Sequence, residues 1–260
     1  MGFLTDLVDD LRRALDRQPL DDAALLARAR SRPPARGFEE ALRARTPAVI
    51  AEVKRASPSA GAIAEDADPI QQAQAYRDGG AAAISVLTEP THFHGSLTDL
   101  DAVRAGVDIP VLRKDFLVIP SQLIEARAHG ADAALLITSC LRDDELAAML
   151  AIAADLDLEI LLETHSDEDL DRALATEAPV IGVNARDLET LEVDPGRARS
   201  RLGRIPADRI AVMESGIASR ADVEAAVAAG ASAILVGEAL MRAGDPRAAV
   251  RALTGEESMT

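Results

Sequence analysis

The chain has 260 residues, enough for one large α/β domain or two small domains with a substantial core. Apolar residues make up 48% of it and are mostly aliphatic, with no Trp and one Tyr, which predicts a core of Ala, Val, Ile and Leu. The net charge of −16 leaves no basic stripe for a phosphate backbone, so composition argues against nucleic-acid binding while still allowing a small anionic ligand.

The cysteine, the histidines and the first residues of the chain bear on metal binding and cellular location. Cys140 is the single cysteine, so we predict neither a disulfide nor a cysteine metal site. His92 and His94 are close in sequence, but one such pair in a predicted loop is weak evidence for a metal site. The first residues are acidic, unlike a signal peptide, and no apolar run reaches the length of a membrane span. We therefore expect a cytoplasmic protein with no membrane partner.

Three helical segments come first in the chain. In residues 2–18 the apolar positions recur at helical spacing, which predicts an amphipathic helix. A short helix is predicted at about residues 20–29, ahead of a Pro-Pro break, and a third segment covers 38–43. We expect residues 1–45 to form a helical extension that packs on one end of the domain that follows.

Aliphatic runs then alternate with helical patterns. Eight runs are predicted to be strands, near residues 48–53, 82–87, 109–113, 132–138, 158–163, 179–184, 209–214 and 232–237. Helical patterns follow most of them, at 70–77, 121–129, 143–153, 167–174, 220–229 and 246–253. Strands that alternate with helices indicate right-handed βαβ units and a parallel sheet.

Three junctions repeat one pattern, GAAAISVL from Gly80, GADAALLI from Gly130 and GASAILVG from Gly230. Each glycine stands where a helix is expected to end in the left-handed conformation, directly before a strand. Eight such units predict an α/β fold, a (β/α)8 TIM barrel over residues 46–255, in a single domain with a disordered tail at 256–260. A doubly wound sheet is the weaker alternative, because no G-x-G-x-x-G follows the first strand.

Lysine is rare in this chain, and both lysines stand at strand ends. Of the 28 basic residues only Lys54 and Lys114 are lysine. Arginine does not release its proton in proteins, whereas lysine can serve as a general acid, a general base or a nucleophile. We interpret both residues as functional, against the simpler alternative of ordinary surface charges.

Carboxylates and an amide close other strands. Glu52 shares a strand face with Lys54, and the fifth, sixth and seventh strands end in Glu163, Asn184 and Glu214. In a barrel these ends meet at the active-site rim, where charged neighbours shift one another's pKa values. Glu163 or Asn184 alone could be a solvated loop residue, but the whole set predicts acid-base chemistry.

The last two strands end in glycine turns. Ser215 and Gly216 follow the seventh strand, and Gly237 and Glu238 follow the eighth. Glycine allows close approach to the backbone, and helix N-termini in these loops often bind phosphate. We predict a phosphate site here, with plain tight turns as the alternative.

Six segments at the predicted strand ends resemble one known family. They read AEVKRASPS, LRKDF, LLETH, GVNARDLETLEVD, ESGI and VGEALM, in this order. Together, over about residues 38–241, they are similar to indole-3-glycerol phosphate synthase of tryptophan biosynthesis. The resemblance implies ring closure of 1-(2-carboxyphenylamino)-1-deoxyribulose 5-phosphate with loss of carbon dioxide and water, without a metal or organic cofactor.

The same resemblance implies a role for each site residue. Lys114 is the general acid at the ketone oxygen, Lys54 holds the substrate carboxylate and is a candidate proton donor in the dehydration, and Glu163 is the general base or the partner of the acid. Glu52 faces the anilino nitrogen, and Asn184 positions the ring and the hydroxyl groups. The implied substrate-binding residues are Ser57, Phe93, Phe116, Leu135, Arg186, Glu214, Ser215, Gly216, Gly237 and Glu238. Glu238 departs from members with serine at that place, which leaves its backbone N–H as the expected contact.

Other functions fit part of this pattern. A Schiff-base aldolase barrel would use Lys54 or Lys114 as its nucleophile. A catalytically silent barrel that only binds a phosphorylated ligand is a second alternative. We expect the protein to be a monomer whose partner is a small anionic, phosphorylated substrate.

Overall fold

Eight short strands pair edge to edge in a computed structural model of the chain, which describes residues 2–255. They are β1 Ala48–Val53, β2 Ala83–Leu87, β3 Val111–Lys114, β4 Ala133–Ile137, β5 Glu159–Thr164, β6 Val180–Asn184, β7 Ile210–Glu214 and β8 Ala233–Val236. Every pair is parallel, and β1 pairs with both β2 and β8, so the sheet closes. This confirms the predicted (β/α)8 barrel. The predicted tail at 256–260 lies outside the described residues.

Twelve α-helices occur in the described part of the chain. They are α1 Phe3–Arg17, α2 Asp22–Arg30, α3 Phe38–Arg43, α4 Pro69–Asp78, α5 Leu97–Gly106, α6 Pro120–Ala128, α7 Asp143–Asp155, α8 Asp167–Leu174, α9 Pro195–Leu202, α10 Arg220–Ala228, α11 Glu238–Met241 and α12 Pro246–Thr254. Between residues 2 and 255, none of these helices is long and apolar enough to cross a membrane.

The strands read as aliphatic runs because both of their faces are covered. All six residues of β1 are buried, one face against the helices and the other inside the barrel. The left-handed glycines predicted before three strands are confirmed, with φ values of 93°, 83° and 109° at Gly80, Gly130 and Gly230. A side chain would be strained there, so these positions end the preceding helices.

The N-terminal helices contact both ends of the barrel. Phe38 and Leu42 of α3 are fully buried among core residues, and the Glu39 backbone N–H donates to Glu159 at the start of β5. Helix α1 reaches the opposite rim, where Arg12 forms a 3.0 Å ion pair with Glu145. From the sequence we expect cover at one end only, because helical periodicity marks a buried face without indicating what covers it.

A buried carboxylate ties the extension to the barrel. Asp132 lies just before β4 and is fully buried. Its oxygens accept the backbone N–H groups of Arg36 at 2.8 Å and Val111 at 2.9 Å, and Arg104 approaches to 3.1 Å. This arrangement lies at the amino-terminal end of the strands, the face of such barrels that supports stability.

Candidate active site

A cavity of about 500 Å³ opens at the carboxyl ends of the strands. The structure brings all fifteen predicted site residues to its walls: Glu52, Lys54, Ser57, Phe93, Lys114, Phe116, Leu135, Glu163, Asn184, Arg186, Glu214, Ser215, Gly216, Gly237 and Glu238. Convergence follows from the topology, because parallel strands in a closed barrel end at one rim.

Two lysines and three buried carboxylates form the polar floor of the cavity. Lys54 Nζ lies 2.9 Å from Glu52 Oε1. Lys114 Nζ lies 3.0 Å from Glu163 Oε2 and 3.5 Å from Glu214 Oε2. These contacts hold both ammonium groups at the cavity wall, which is the placement that proton transfer to a bound substrate requires.

Two glycines leave room for these carboxylates. A Cβ built at Gly237 would lie 2.4 Å from Glu52 Oε1 and 3.2 Å from Lys54 Nζ. A Cβ at Gly182 in β6 would lie 2.2 Å from Glu214 Oε1. A side chain at either glycine would therefore displace the carboxylate opposite it, since real Cβ atoms do not approach other atoms so closely.

The charged groups of the floor shift one another's pKa values. Burial alone would lower the pKa of Lys114, but the carboxylates of Glu163, Glu214 and Glu52 outweigh it and raise that pKa. Burial alone would raise the pKa of Glu163, but Lys114 and His165 hold it well below its ordinary value. Lys114 is thus an ammonium, and Glu163 a carboxylate, in the free protein.

Glu214 differs from the other two carboxyl groups. Its side chain is buried, and within residues 2–255 neither of its oxygens has a hydrogen-bond partner. Burial and the neighbouring Glu163 carboxylate raise the pKa of Glu214 well above its ordinary value. Folding therefore favours the protonated form of Glu214, in which the carboxyl group can donate a hydrogen bond.

Comparison with known proteins assigns the family. The family model described as indole-3-glycerol phosphate synthase matches residues 4–253. An indole-3-glycerol phosphate synthase from Micrococcus luteus is 49% identical over 259 residues, 97% of this chain and 97% of its own. One from Rhodococcus opacus is 50% identical over 252 residues, 96% of this chain and 94% of its own.

The chain belongs to the indole-3-glycerol phosphate synthase family. This confirms the resemblance found in the strand-end segments, and it makes the chain a carbon–carbon lyase of tryptophan biosynthesis. A relative from Mycobacterium avium, also named indole-3-glycerol phosphate synthase, is 55% identical over 224 residues, 86% of this chain and 82% of its own.

Solved structures support the fold independently. A 3-hexulose-6-phosphate synthase superposes with a TM-score of 0.64 at 18% identity, covering 81% of this chain and all of its own. A thiamine phosphate pyrophosphorylase from Pyrococcus furiosus superposes with a TM-score of 0.61 at 19% identity, covering 82% of this chain and 96% of its own. At such low identity these likenesses concern the barrel alone.

Asn184, Arg186 and Ser57 are anchored by local hydrogen bonds in this synthase-family barrel. Asn184 donates to Glu163 Oε1 at 3.2 Å and accepts the Arg186 backbone N–H at 3.0 Å. The Arg186 guanidinium donates to the Leu191 carbonyl, which holds the loop after β6. Ser57 Oγ accepts the Ala60 backbone N–H at 3.2 Å, so this hydroxyl also supports the turn after β1.

An apolar wall faces the polar floor. The rings of Phe93 and Phe116 lie 6.3 Å apart at an interplanar angle of 47°. Phe3 of α1 and Leu188 and Leu191 of the loop after β6 also line the cavity, and these three residues were not predicted from the sequence. For Leu188 and Leu191 a signal was present, because both lie within the segment GVNARDLETLEVD.

The predicted phosphate turns also line the cavity. Ser215 and Gly216 are both left-handed, with φ values of 62° and 71°. A non-glycine residue in this region is strained and is often found at functional sites. Glu238 directs its carboxylate to Arg242 at 3.1 Å, and Arg242 also lines the cavity although it was not predicted.

Across residues 2–255 no three His, Cys, Asp or Glu side chains are grouped so that they could hold a metal ion. Glu89, beside the pair His92 and His94, accepts the backbone N–H groups of Thr91 and His92 at 2.9 and 2.6 Å, so its carboxylate supports a turn.

Proposed function

We propose that this barrel closes the pyrrole ring of 1-(2-carboxyphenylamino)-1-deoxyribulose 5-phosphate to give indole-3-glycerol phosphate, carbon dioxide and water. One observation carries the proposal: the Lys114 ammonium faces the cavity between Glu163 at 3.0 Å and Glu214 at 3.5 Å. Such a group can protonate a carbonyl oxygen at the moment a carbon nucleophile attacks it.

In the first step the aromatic carbon attacks the ketone and a carbon–carbon bond forms. The carbonyl π electrons move to oxygen, and Lys114 supplies the proton that turns the developing alkoxide into a hydroxyl group. An alkoxide is a stronger base than an amine, so this transfer is favourable even though neighbouring carboxylates raise the pKa of Lys114. Loss of the carboxylate as carbon dioxide then returns the electron pair to the ring.

The second step eliminates the new hydroxyl group as water. Lys54, which also holds the substrate carboxylate, protonates the departing hydroxyl, and Glu163 accepts the proton released as the pyrrole becomes aromatic. Glu52, 2.9 Å from Lys54, faces the anilino nitrogen. Proton uptake and proton release thus use different groups on one floor, which allows both transfers in a single bound geometry.

Substrate binding divides between the apolar wall and the turns. Phe93, Phe116 and Leu135 enclose the aromatic ring, because all three are apolar residues that line the cavity. Asn184, Arg186 and Glu214 contact the hydroxyl groups from the floor. The phosphate binds at the turns formed by Ser57, Ser215, Gly216, Gly237 and Glu238, where backbone N–H groups are the donors.

The proposal includes the domain organisation, the oligomeric state and the cellular location. The extension at residues 2–45 and the barrel form one domain, because α3 is buried in the common core. The protein acts as a monomer in the cytoplasm. Within residues 2–255, Val193 is the only large hydrophobic side chain that is exposed, so a sizeable apolar interface is lacking there. Light scattering at working concentration tests the monomer directly.

Product fluorescence tests the function. The chain has no Trp, so indole formed from the substrate stands clear of the protein's own emission. We expect the wild-type protein to give indole fluorescence and release carbon dioxide in equal amounts. Borohydride added during turnover leaves no protein adduct, because no Schiff base forms. A folded protein that binds the compound but yields neither product would overturn the proposal, and a trapped lysine adduct would favour the aldolase.

A further inference from the structure

His165 lies behind the catalytic floor and contacts it through one residue. It follows the end of β5, its side chain is 10% exposed, and it is not among the residues that line the cavity. Its Nε2 lies 2.6 Å from Glu163 Oε1, and its Nδ1 lies 2.9 Å from the Arg186 carbonyl oxygen. The ring is thus held at both nitrogens between the acid-base residue and the loop after β6.

We propose that His165 is a positioning residue for the ring closure: as an imidazolium fixed by Arg186, it keeps the Glu163 carboxylate ionised and aimed at Lys114. This inference rests on the function proposed above, in which Glu163 accepts a proton. Neither the sequence segments nor the family comparison gives His165 this role.

The hydrogen bonds define the protonation of the ring. A carbonyl oxygen only accepts, so the contact with Arg186 requires a proton on Nδ1. The 2.6 Å contact with Glu163 then contains one further proton, either on Nε2 or on the carboxyl group. The pair is therefore an imidazolium beside a carboxylate, or a neutral imidazole beside a carboxylic acid, and only the first form leaves Glu163 able to accept a proton.

The surrounding charges favour the imidazolium form. Glu163 contacts His165 directly at 2.6 Å, and Lys114 lies on the other side of that carboxylate, 3.0 Å from Oε2. Other elements that face His165 add Asp169 from α8, which accepts the His165 backbone N–H at 3.2 Å, and Asp187 from the loop after β6. Arg201 of α9 donates to the His165 carbonyl at 2.7 Å and is paired with Asp167.

The pKa shifts agree with this geometry. Burial alone would lower the pKa of His165, but the Glu163 carboxylate outweighs burial and raises it. His165 is also one of the two cations that hold the pKa of Glu163 down. With Oε1 bound to His165 and Asn184, Oε2 is the oxygen directed to Lys114.

His165→Asn tests the role, with His129→Asn as the matched control. His129 also forms a histidine–carboxylate contact, with Asp101 at 2.7 Å, but it lies at the end of α6, away from the cavity. We expect His165→Asn to lower kcat near neutral pH by about tenfold or more. Removing the hydrogen-bond partner of a metal-binding residue in a metalloenzyme has an effect of similar size. KM and the fluorescence of bound product change little, and His129→Asn behaves as wild type.

The pH profile separates this role from a structural one. Without the imidazolium the pKa of Glu163 rises, so the acid limb of kcat/KM moves up by about one to three pH units and activity recovers at higher pH. A purely structural histidine would give an equal loss at every pH. Such a parallel loss, or unchanged activity, overturns the proposal.

Nitrogen-15 NMR of labelled histidine in the wild-type protein tests the same claim without relying on turnover. The chain has four histidines, and the resonance missing in His165→Asn, or in His165→Gln if the first variant does not fold, identifies His165. We expect both of its nitrogens to carry protons above about pH 7, and Glu163→Gln to abolish this. An unprotonated Nε2 at that pH overturns the proposal, even where the synthase assay succeeds.

Discussion

Gly182 and Glu214 face each other across the neighbouring strands β6 and β7, with no room for a side chain at position 182. A Cβ there would lie 2.2 Å from Glu214 Oε1 and 3.3 Å from Leu161 Cδ1. Because β6 and the barrel core fix the backbone, the Glu214 carboxyl group is the part that has to move. The glycine therefore determines the shape of the catalytic floor without contributing any group to it.

Gly182→Ala is expected to impair catalysis more than folding. The displaced Glu214 moves relative to Lys114, and small misplacements of catalytic groups cost about a hundredfold in rate. Steady-state kinetics beside a thermal melt measures both effects. Gly244→Ala is the control, since nothing lies within 4 Å of the added Cβ. Wild-type kcat/KM in Gly182→Ala would show that the Glu214 position does not matter.

Glu214→Gln is expected to stabilise the protein at alkaline pH. The raised pKa of Glu214 means that folding favours its protonated form. The free-energy cost of burying the ionised carboxylate is absent below the ordinary pKa of Glu214. It grows as pH rises above that value, and it is complete above the raised pKa of the folded protein. We expect a gain at alkaline pH of about 1.4 kcal/mol for each unit by which folding raises this pKa.

Urea unfolding of wild type and Glu214→Gln over a pH series checks this sign. The difference in unfolding free energy should grow with pH and vanish at acidic pH. A difference that is constant with pH would mean that Glu214 is ionised in the folded protein.

Asp132→Asn is expected to destabilise the barrel while leaving the cavity unchanged. Its two oxygens accept the N–H groups of Arg36 and Val111, and an amide places its own NH₂ group against one of these donors. Breaking a buried charge network of this kind costs about 3 to 5 kcal/mol. Asp108→Asn is the control, because the Asp108 side chain is 82% exposed. Equal unfolding midpoints for the two variants would contradict the assigned role of Asp132.

Much of the site was predictable because parallel strands in a barrel end at one rim. Lys54 follows β1 and Lys114 ends β3, so rarity and position together marked both lysines before any contact was known. The same reasoning found Glu163 and Asn184. Residues beyond the strand ends were harder to predict. His165 is part of the segment LLETH, but the sequence does not indicate that its side chain turns back to contact Glu163.

Other parts of the structure depend on contacts that no local pattern encodes. Helix α9 has three arginines in eight residues and buries two apolar side chains, Ala198 and Leu202, so we did not predict it from the sequence. Phe3 of α1 lines the cavity, although amphipathic spacing shows only that one face of that helix is buried. The clearance between Gly182 and Glu214 requires the register of β6 with β7, which the sequence of either strand alone does not specify.

Single turnover of 1-(2-carboxyphenylamino)-1-deoxyribulose 5-phosphate by Lys114→Arg tests the central claim most directly. Arginine keeps the positive charge between Glu163 and Glu214 but does not release a proton. We predict that substrate binding persists while the rate of indole formation falls by about a hundredfold or more, the contribution typical of a general acid. A variant that is correctly folded and forms indole at the wild-type rate would contradict proton donation by Lys114, leaving it a role in charge alone.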